Sequence, residues 1–303
     1  MGRKDNSIEI ESLEDYLQKI KDVCFGSTGS LDGIWFRGES KIHDHIVSSL
    51  FRDDCVGMNN VFPETSLINK ALQYYPSLFD HCKNPIERLV IMQHYTLPTR
   101  LLDVTKSPLV ALFFACFGNK KEDGRVLFMK NKQPETEALI NELAVYAENI
   151  SDSKNTDISS IIKHLRSKKV WQKQSVTDFF QKATDSYLYL PKYDNDRIKH
   201  QQGAVLFSAL LRPHKMHEPK YLKICSQIEN GETNIPADEL GSISFNKNYV
   251  WLDYVFDKQY FKISKDCKQS ILKDLDNCGI NEAFVYPEPE HQMQYVKWYC
   301  ASR

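Results

Sequence analysis

The sequence has no long hydrophobic run. Its longest purely apolar stretch, residues 109–117 of 303, is much shorter than the roughly 18 residues that a membrane-spanning helix needs. The first residues (MGRKDNSIEIES) lack the apolar segment of a secretion signal. Asn6 stands where a myristoylation signal carries Ser or Thr. We therefore expect a cytoplasmic protein that does not associate with membranes.

An excess of charge of either sign is also absent. Lys and Arg together number 39, and Asp and Glu number 40, so the composition gives no overall attraction to nucleic acid. Residues 163–173 are locally basic and include Trp171. This stretch is typical of a solvated helix face. It is also compatible with a nucleic-acid contact, in which Lys168, Lys169 and His94 would matter.

Spacings that indicate a metal site or a disulfide framework are missing. None of the eight cysteines forms a C-x-x-C pair, and without a secretion signal we expect buried free thiols. The close histidine pairs, His43 with His45 and His214 with His217, have no H-E-x-x-H context. No Gly-rich phosphate loop or G-x-S-x-G motif occurs, which argues against Rossmann, P-loop and serine-hydrolase classes.

What the sequence does have is enough apolar material for a large core: 42% hydrophobic residues, with 15 Tyr and 16 Phe. Helical spacing of these residues predicts an N-terminal helix capped by Ser12, with Asp15 as its capping-box partner. Ser107 and Pro108 are a good start for a second helix that is apolar all round and therefore central. The full set of predicted helices is 13–23, 65–75, 85–95, 108–117, 135–149, 158–168, 267–278 and 288–299.

Strands are predicted where short apolar runs are bounded by turn residues. They are residues 34–38, 101–102, 124–129, 203–211, 249–256 and 283–286. Helices and strands alternate irregularly along the chain, which favours an α+β fold over a doubly wound α/β fold. We therefore expect a single compact α+β domain.

Two segments are specific enough to indicate a family: WFRGES at residues 35–40 and QHYTLPTRLLDVT at 93–105. An aromatic-Arg-Gly strand, followed by this second motif and an apolar helix, resembles the FRG domain. Residues 197–203 and 271–287 extend the resemblance to about 31–299. The sequence departs from the family pattern at Thr96, where Gly is usual, and at Val104, where an aromatic residue is usual.

The resemblance implies an N-terminal helix and linker over residues 1–30, and an FRG domain over 31–303 with a helical insertion around 131–195. A more distant resemblance to ADP-ribosyltransferases rests on the order of Arg37, the segment 99–105 and Gln201. It implies a small, split, mostly antiparallel sheet surrounded by many helices. It also implies NAD as substrate, and a toxin or anti-phage effector as the biological role.

Residue by residue, this second resemblance assigns catalysis to Arg37, His94 and Gln201. Arg37 has the planar fork that suits a pyrophosphate. Cleavage of the nicotinamide–ribose bond also calls for a carboxylate, for which Glu39 and Asp103 are equal candidates, since Gln201 is neutral. The expected contacts with NAD, besides Arg37, are Gly38, Ser40, Thr99, Arg100, Asp103, Thr105 and Gln202.

Structural interpretations compete with each assignment. Arg37 is also explained as a buried arginine paired with Asp103, Arg100 as a local partner of Asp103, and His94 as a core histidine. Two other functional classes stay open: a module that binds a ligand or a partner without turnover, and a nucleic-acid-processing effector. The target is expected to be a protein or a nucleic acid, with a cognate antitoxin or regulatory partner.

Overall fold

The computed structural model describes residues 6–25, 31–52, 64–150, 157–171, 175–192, 196–213, 215, 217–246 and 250–301. The strands are β1 (Ser7–Ile10), β2 (Trp35–Glu39), β3 (Leu101–Thr105), β4 (Gly124–Met129), β5 (Tyr187–Tyr189), β6 (Gly203–Phe207), β7 (Arg212–Pro213), β8 (Phe245–Asn246) and β9 (Tyr260–Ile263). The helices are α1 (Leu13–Cys24), α2 (Glu64–Tyr74), α3 (Pro85–His94), α4 (Pro108–Cys116), α5 (Glu137–Ile150), α6 (Ile158–Ser167), α7 (Val176–Thr184), α8 (Asp196–His200), α9 (Pro219–Glu229), α10 (Ala237–Gly241), α11 (Lys268–Asn277), α12 (Glu282–Val285) and α13 (Pro289–Ala301). The predicted α+β class is confirmed.

Seven strands form one sheet in the order β1-β9-β4-β2-β3-β6-β5. Every neighbouring pair is antiparallel except β1 with β9. β2 and β3 meet through a single residue pair, Phe36 opposite Thr105, whereas each of them pairs over five residues with its other neighbour. We call this one-pair junction the seam. It divides the sheet into a four-stranded half and a three-stranded half.

Helices cover one face of both halves. Phe36, Val126 and Phe128 pack against α4, α1 and α11 on the four-stranded half. On the other half, Leu101 and Phe207 pack against a helical layer that includes α2, α3, α5, α6 and α7. The opposite face buries a smaller cluster that includes Trp35, Leu102, Leu127 and Leu206. Among the described helices, none has the length and apolar character needed to cross a bilayer.

The two predicted helix caps are confirmed. The amide of Asp15 donates to Ser12 Oγ at 3.1 Å, and the amide of Val110 donates to Ser107 Oγ at 3.3 Å. The capping box is only half formed, because the Asp15 carboxylate accepts from the amide of Glu11, not from that of Ser12. α1 and β1 pack in the same core and sheet as the rest of the chain.

Two predicted strands are wrong. Residues 250–256 form a loop and a turn; position 249 lies outside the described residues. Val250, Leu252 and Phe256 are buried without a strand partner, so their alternation reflects packing alone. Residues 282–285 form the short helix α12, because Asn281 Oδ1 accepts from the amide of Phe284 and caps it. The strand predicted at 203–211 ends at Phe207.

Thr96 has a backbone φ of +62°, which a β-branched residue rarely adopts. We expect Thr96→Gly to raise the free energy of unfolding by about 1 kcal/mol, because Gly has no steric penalty at this φ. Urea denaturation followed by circular dichroism measures this change. Thr96→Ala keeps a Cβ, so its gain in the free energy of unfolding should be smaller than that of Thr96→Gly. An unchanged midpoint for the glycine variant would contradict the expectation.

Candidate functional site

Arg37 bridges the seam on the side where β2 and β3 diverge. Its Nη1 donates to the main-chain oxygen of Asp103 at 2.8 Å, and its Nε donates to Glu39 Oε1 at 3.0 Å. The side chain is 11% exposed. Arg37 is therefore a largely buried arginine tied to β3, close to what the structural interpretation expected. Its ionic partner is Glu39, however, and Asp103 contributes only a main-chain carbonyl.

Glu39 lies between two arginines. Its Oε2 accepts from Arg125 Nε at 2.9 Å, while Oε1 accepts from Arg37. Burial by itself would raise the pKa of Glu39, but the two guanidinium groups outweigh it and hold the pKa below its usual value. The carboxylate is thus charged and committed to holding β2 to β4.

Strand alternation puts Arg37 on the face opposite Thr105. Residues directly opposite in an antiparallel pair share a face, so Thr105 lies on the side of Phe36, against α4. Arg37 lies on the side of Trp35 and Glu39. Arg37 and Thr105, which the resemblance to ADP-ribosyltransferases assigns to one site, therefore lie on opposite faces of the sheet.

Gly38 and Ser40 have packing roles at the end of β2. A Cβ on Gly38 would lie 1.9 Å from the carbonyl oxygen of Ala111 in α4, so only glycine allows this approach. The main-chain oxygen of Ser40 accepts from Lys268 Nζ at 2.7 Å. Lys268 is almost fully buried and also donates to the carbonyl of Asn119. These contacts fix β2 against α4 and α11.

Arg100 is buried away from the seam. Its guanidinium contacts both carboxylate oxygens of Glu64 at 2.6–3.0 Å, and its Nη1 donates to the carbonyl of Ala209 at 3.2 Å. The pairing of Arg100 with Asp103 that its spacing suggested is therefore wrong. This ion pair ties β3 to α2.

Thr105, Gln201 and Gln202 join β3 to the turn before β6. Thr105 Oγ1 donates to the main-chain oxygen of Gln201 at 2.5 Å, and Gln201 Nε2 donates to the carbonyl of Val285 at 3.0 Å. Gln202 is exposed, has a φ of +47°, and accepts from the amide of Lys106 through its main-chain oxygen.

A cleft opens on the helix-covered face of the three-stranded half, between β3, β6, α3 and α8. Its volume is about 510 Å³ including the open mouth. Five polar side chains line it, and three of them, His94, Asp103 and Gln201, are among the predicted site residues. The lining consists of Val90, Gln93, His94, Asp103, Val104, Pro191, Arg197, Ile198, Gln201, Gly203, Ala204 and Val205. We call this the cleft.

Asp103 presents an exposed carboxylate to the cleft. Gln93 Nε2 donates to its Oδ1 at 2.6 Å. Gln93 is itself oriented by the fully buried Thr99, whose Oγ1 donates to Gln93 Oε1 and accepts from the amide of Leu101. Thr99 therefore acts on the cleft through Gln93 and not by direct contact.

His94 and Arg197 are the basic side chains among the described residues that line the cleft. Burial, and secondly the nearby Arg197 guanidinium, lower the pKa of His94, while Glu288 opposes them. His94 is therefore neutral at pH 7 and able to accept a proton. The Arg197 guanidinium lies 4.7 Å above the ring of Tyr286. Glu288 Oε1 lies 3.5 Å from Arg197 Nη1 and 3.7 Å from His94 Nε2.

The sequence prediction did not include Gln93, Arg197 or Glu288 among the site residues. Gln93 and Arg197 stand inside the motif segments at 93–105 and 197–203, so treating every polar residue of those motifs as a candidate would have found them. Glu288 had no comparable signal, because it lies outside the motif segments and far from His94 in the sequence, and only the fold brings the two side chains together.

The basic stretch offers little for nucleic acid. Trp171 packs against Tyr146 and Phe179, with its ring 5.2 Å from that of Phe179. Stacking on a base would require this indole to leave the core. Lys168 and Lys169 follow the end of α6, while positions 172–173 lie outside the described residues. Of the described residues in this stretch, neither Lys168 nor Lys169 lines the cleft.

The family model described as the FRG domain matches residues 32–124. This segment contains β2, the seam, α3, β3 and α4, together with the cleft residues Gln93, His94 and Asp103. Arg197 and Gln201 lie outside it. Comparisons with curated proteins and with solved structures found no match.

Proposed function

Residues 32–124 of this chain match the FRG domain, and we propose that the cleft binds NAD and cleaves the nicotinamide–ribose bond, as in an ADP-ribosyltransferase. The observation that carries the proposal is the exposed Asp103 carboxylate, held by Gln93 beside His94 and Arg197. A carboxylate in such a setting stabilises the positive charge that develops on the ribose when its bond to nicotinamide breaks.

Each polar residue of the cleft has a role in this reaction. The bond between ribose C1′ and the nicotinamide nitrogen breaks, and its electron pair leaves with nicotinamide. Asp103 stabilises the cationic sugar. The acceptor group attacks C1′ and passes its proton to the neutral imidazole of His94. Arg197 provides the fork for the phosphates. In this scheme Arg37 is a positioning residue, since it acts through the backbone of β3.

Incubation of the purified protein with adenylate-labelled NAD and cell lysate tests the proposal. We expect nicotinamide release and transfer of label to an acceptor. Neither product from a folded protein would end the proposal. A toxin or anti-phage role would further require that expression slows growth, and that this effect disappears together with the activity.

Asp103→Asn should lower nicotinamide release by at least about 100-fold, which corresponds to roughly 3 kcal/mol of transition-state stabilisation. The substitution removes the charge and keeps the shape. Asp266→Asn, at an exposed position after β9, is the matched control and should keep full activity. Thermal melting of both variants should match that of the parent. Full activity of folded Asp103→Asn would remove Asp103 from the mechanism.

A second function, ligand binding without turnover, is favoured by a different observation. The guanidinium of Arg37 and the amide of Gln201 are already engaged by Glu39, the Asp103 carbonyl and the Val285 carbonyl. Such a module would bind ADP-ribose saturably and release no nicotinamide from NAD. The same assay, combined with calorimetric titration of ADP-ribose, separates the two functions.

A further inference from the structure

Glu288 is the acidic residue just before α13, and its carboxylate is in an unusual state. Both oxygens are almost inaccessible to solvent and, within the described part of the chain, neither accepts a hydrogen bond. The nearest basic side chains are those of Arg197, with Nη1 at 3.5 Å, and of the neutral His94, with Nε2 at 3.7 Å. These distances exceed the 2.7–3.2 Å of a good hydrogen bond. The carboxylate has therefore lost its hydration and gained mainly longer-range attraction.

The two neighbours of Glu288 both line the cleft. We infer that Arg197, with His94 at its edge, forms a subsite for the phosphate groups of the ligand, and that Glu288 occupies this subsite as an internal anion until the ligand displaces it. The inference rests on the proposed function only in taking the ligand to carry phosphates. It adds to that function a carboxylate of the protein, Glu288, that competes with the ligand for the subsite.

A phosphate is the better occupant for geometric reasons. A guanidinium binds two phosphate oxygens in parallel, and such charge-assisted bonds are short. Glu288 makes no such bond to Arg197 at 3.5 Å. Displacing it breaks no side-chain hydrogen bond and returns the carboxylate to water. The exchange therefore favours an incoming phosphate over the resident carboxylate.

The position of Glu288 in the chain also suits the exchange. It precedes α13, and only its main-chain oxygen takes part in the first turn, accepting from the amides of His291 and Gln292. The side chain can therefore leave the subsite without unwinding the helix. α13 itself stays attached through the hydroxyl of Tyr295, which donates to Asp276 Oδ1 at 2.7 Å.

Titration calorimetry with inorganic pyrophosphate at low salt tests the inference. Glu288→Gln removes the charge and keeps the shape, and should bind pyrophosphate about tenfold more tightly than the parent. Glu290→Gln is the matched control, because Glu290 is an exposed acid two residues further on, in the first turn of α13, and the affinity of this variant for pyrophosphate should not change. Arg197→Gln should abolish binding in both backgrounds. Thermal melting establishes that each variant is folded.

Equal or weaker binding by Glu288→Gln would overturn the inference, as would equal tightening in Glu290→Gln, which would reveal a general charge effect. Absence of pyrophosphate binding in both the parent and Glu288→Gln would overturn it too. The proposed reaction fails separately. If the variants bind pyrophosphate in this pattern but the parent releases no nicotinamide from NAD, the subsite inference stands and the proposed reaction fails. If the parent cleaves NAD but Glu288→Gln binds pyrophosphate no more tightly than the parent, the subsite inference fails and the proposed reaction stands.

Discussion

Replacing Glu39 with Gln is expected to lower the free energy of unfolding by about 3 kcal/mol, because it leaves the buried Arg125 and the largely buried Arg37 without their shared counter-ion. Arg37 and Arg125 both contact the Glu39 carboxylate within 3.0 Å. A neutral amide can accept from one guanidinium but cannot compensate the two charges. Chemical denaturation measures the loss. Glu9→Gln, in the exposed pair of Glu9 with Lys262, is the control and should cost less than about 1 kcal/mol.

The pH dependence of stability provides an independent check on Glu39. The pKa of Glu39 is lower in the folded protein than its usual value of 4.5. The stability that the charged carboxylate contributes is therefore fully present above pH 4.5. The contribution is lost as the pH falls from about 4.5 through the lowered pKa. The difference in stability between the parent and Glu39→Gln should therefore shrink on acidification. A constant difference across this range, or equal denaturation midpoints at pH 7, would contradict the role of the carboxylate.

Gly38→Ala should be at least as damaging, with a loss of about 3 kcal/mol or more and little folded protein recovered. The added Cβ would lie 1.9 Å from the Ala111 carbonyl oxygen and 2.8 Å from the Ala115 nitrogen. Both are helix backbone atoms, so α4 as a whole would have to move away from the sheet. Soluble yield and the denaturation midpoint measure the effect.

Gly203→Ala is the matched control for Gly38→Ala, because Gly203 is also a glycine within a strand of the same sheet. A Cβ there would meet Ile198 at 3.5 Å, which is ordinary van der Waals contact. We expect a change within about 0.5 kcal/mol, since alanine has a lower entropy cost than glycine in a strand. If both variants lost stability equally, close packing against α4 would not be the reason for glycine at position 38.

The FRG domain over residues 32–124 and the fold class followed from sequence because they depend on local patterns. The motifs around Phe36 and Asp103 are contiguous, and Ser12 and Ser107 cap helices through residues three positions away. Thr96 was recognised as a departure from glycine, and its positive φ supplies the reason for glycine there. Such features are set by neighbours in the chain.

The site was predicted less well because it depends on distant partners and on strand alternation. Arg100 contacts Glu64, 36 residues earlier, and this pairing has no sequence signal. The motif Phe-Arg-Gly suggested one functional unit, but consecutive strand residues point to opposite faces. Phe36 and Gly38 face α4, while Arg37 faces the other way and reaches Asp103 only at the seam.

The seam gives Arg37 a mechanical meaning. Where two strands are fully paired, their separation is fixed by the hydrogen-bond ladder at about 4.8 Å. Past Phe36 and Thr105 that ladder stops, and a rigid planar group of defined length stands between Glu39 on one half-sheet and the Asp103 backbone on the other. The guanidinium is thus a spacer. It sets how far the two half-sheets stand apart, and through the backbone of residue 103 it sets where the carboxylate of the cleft is held.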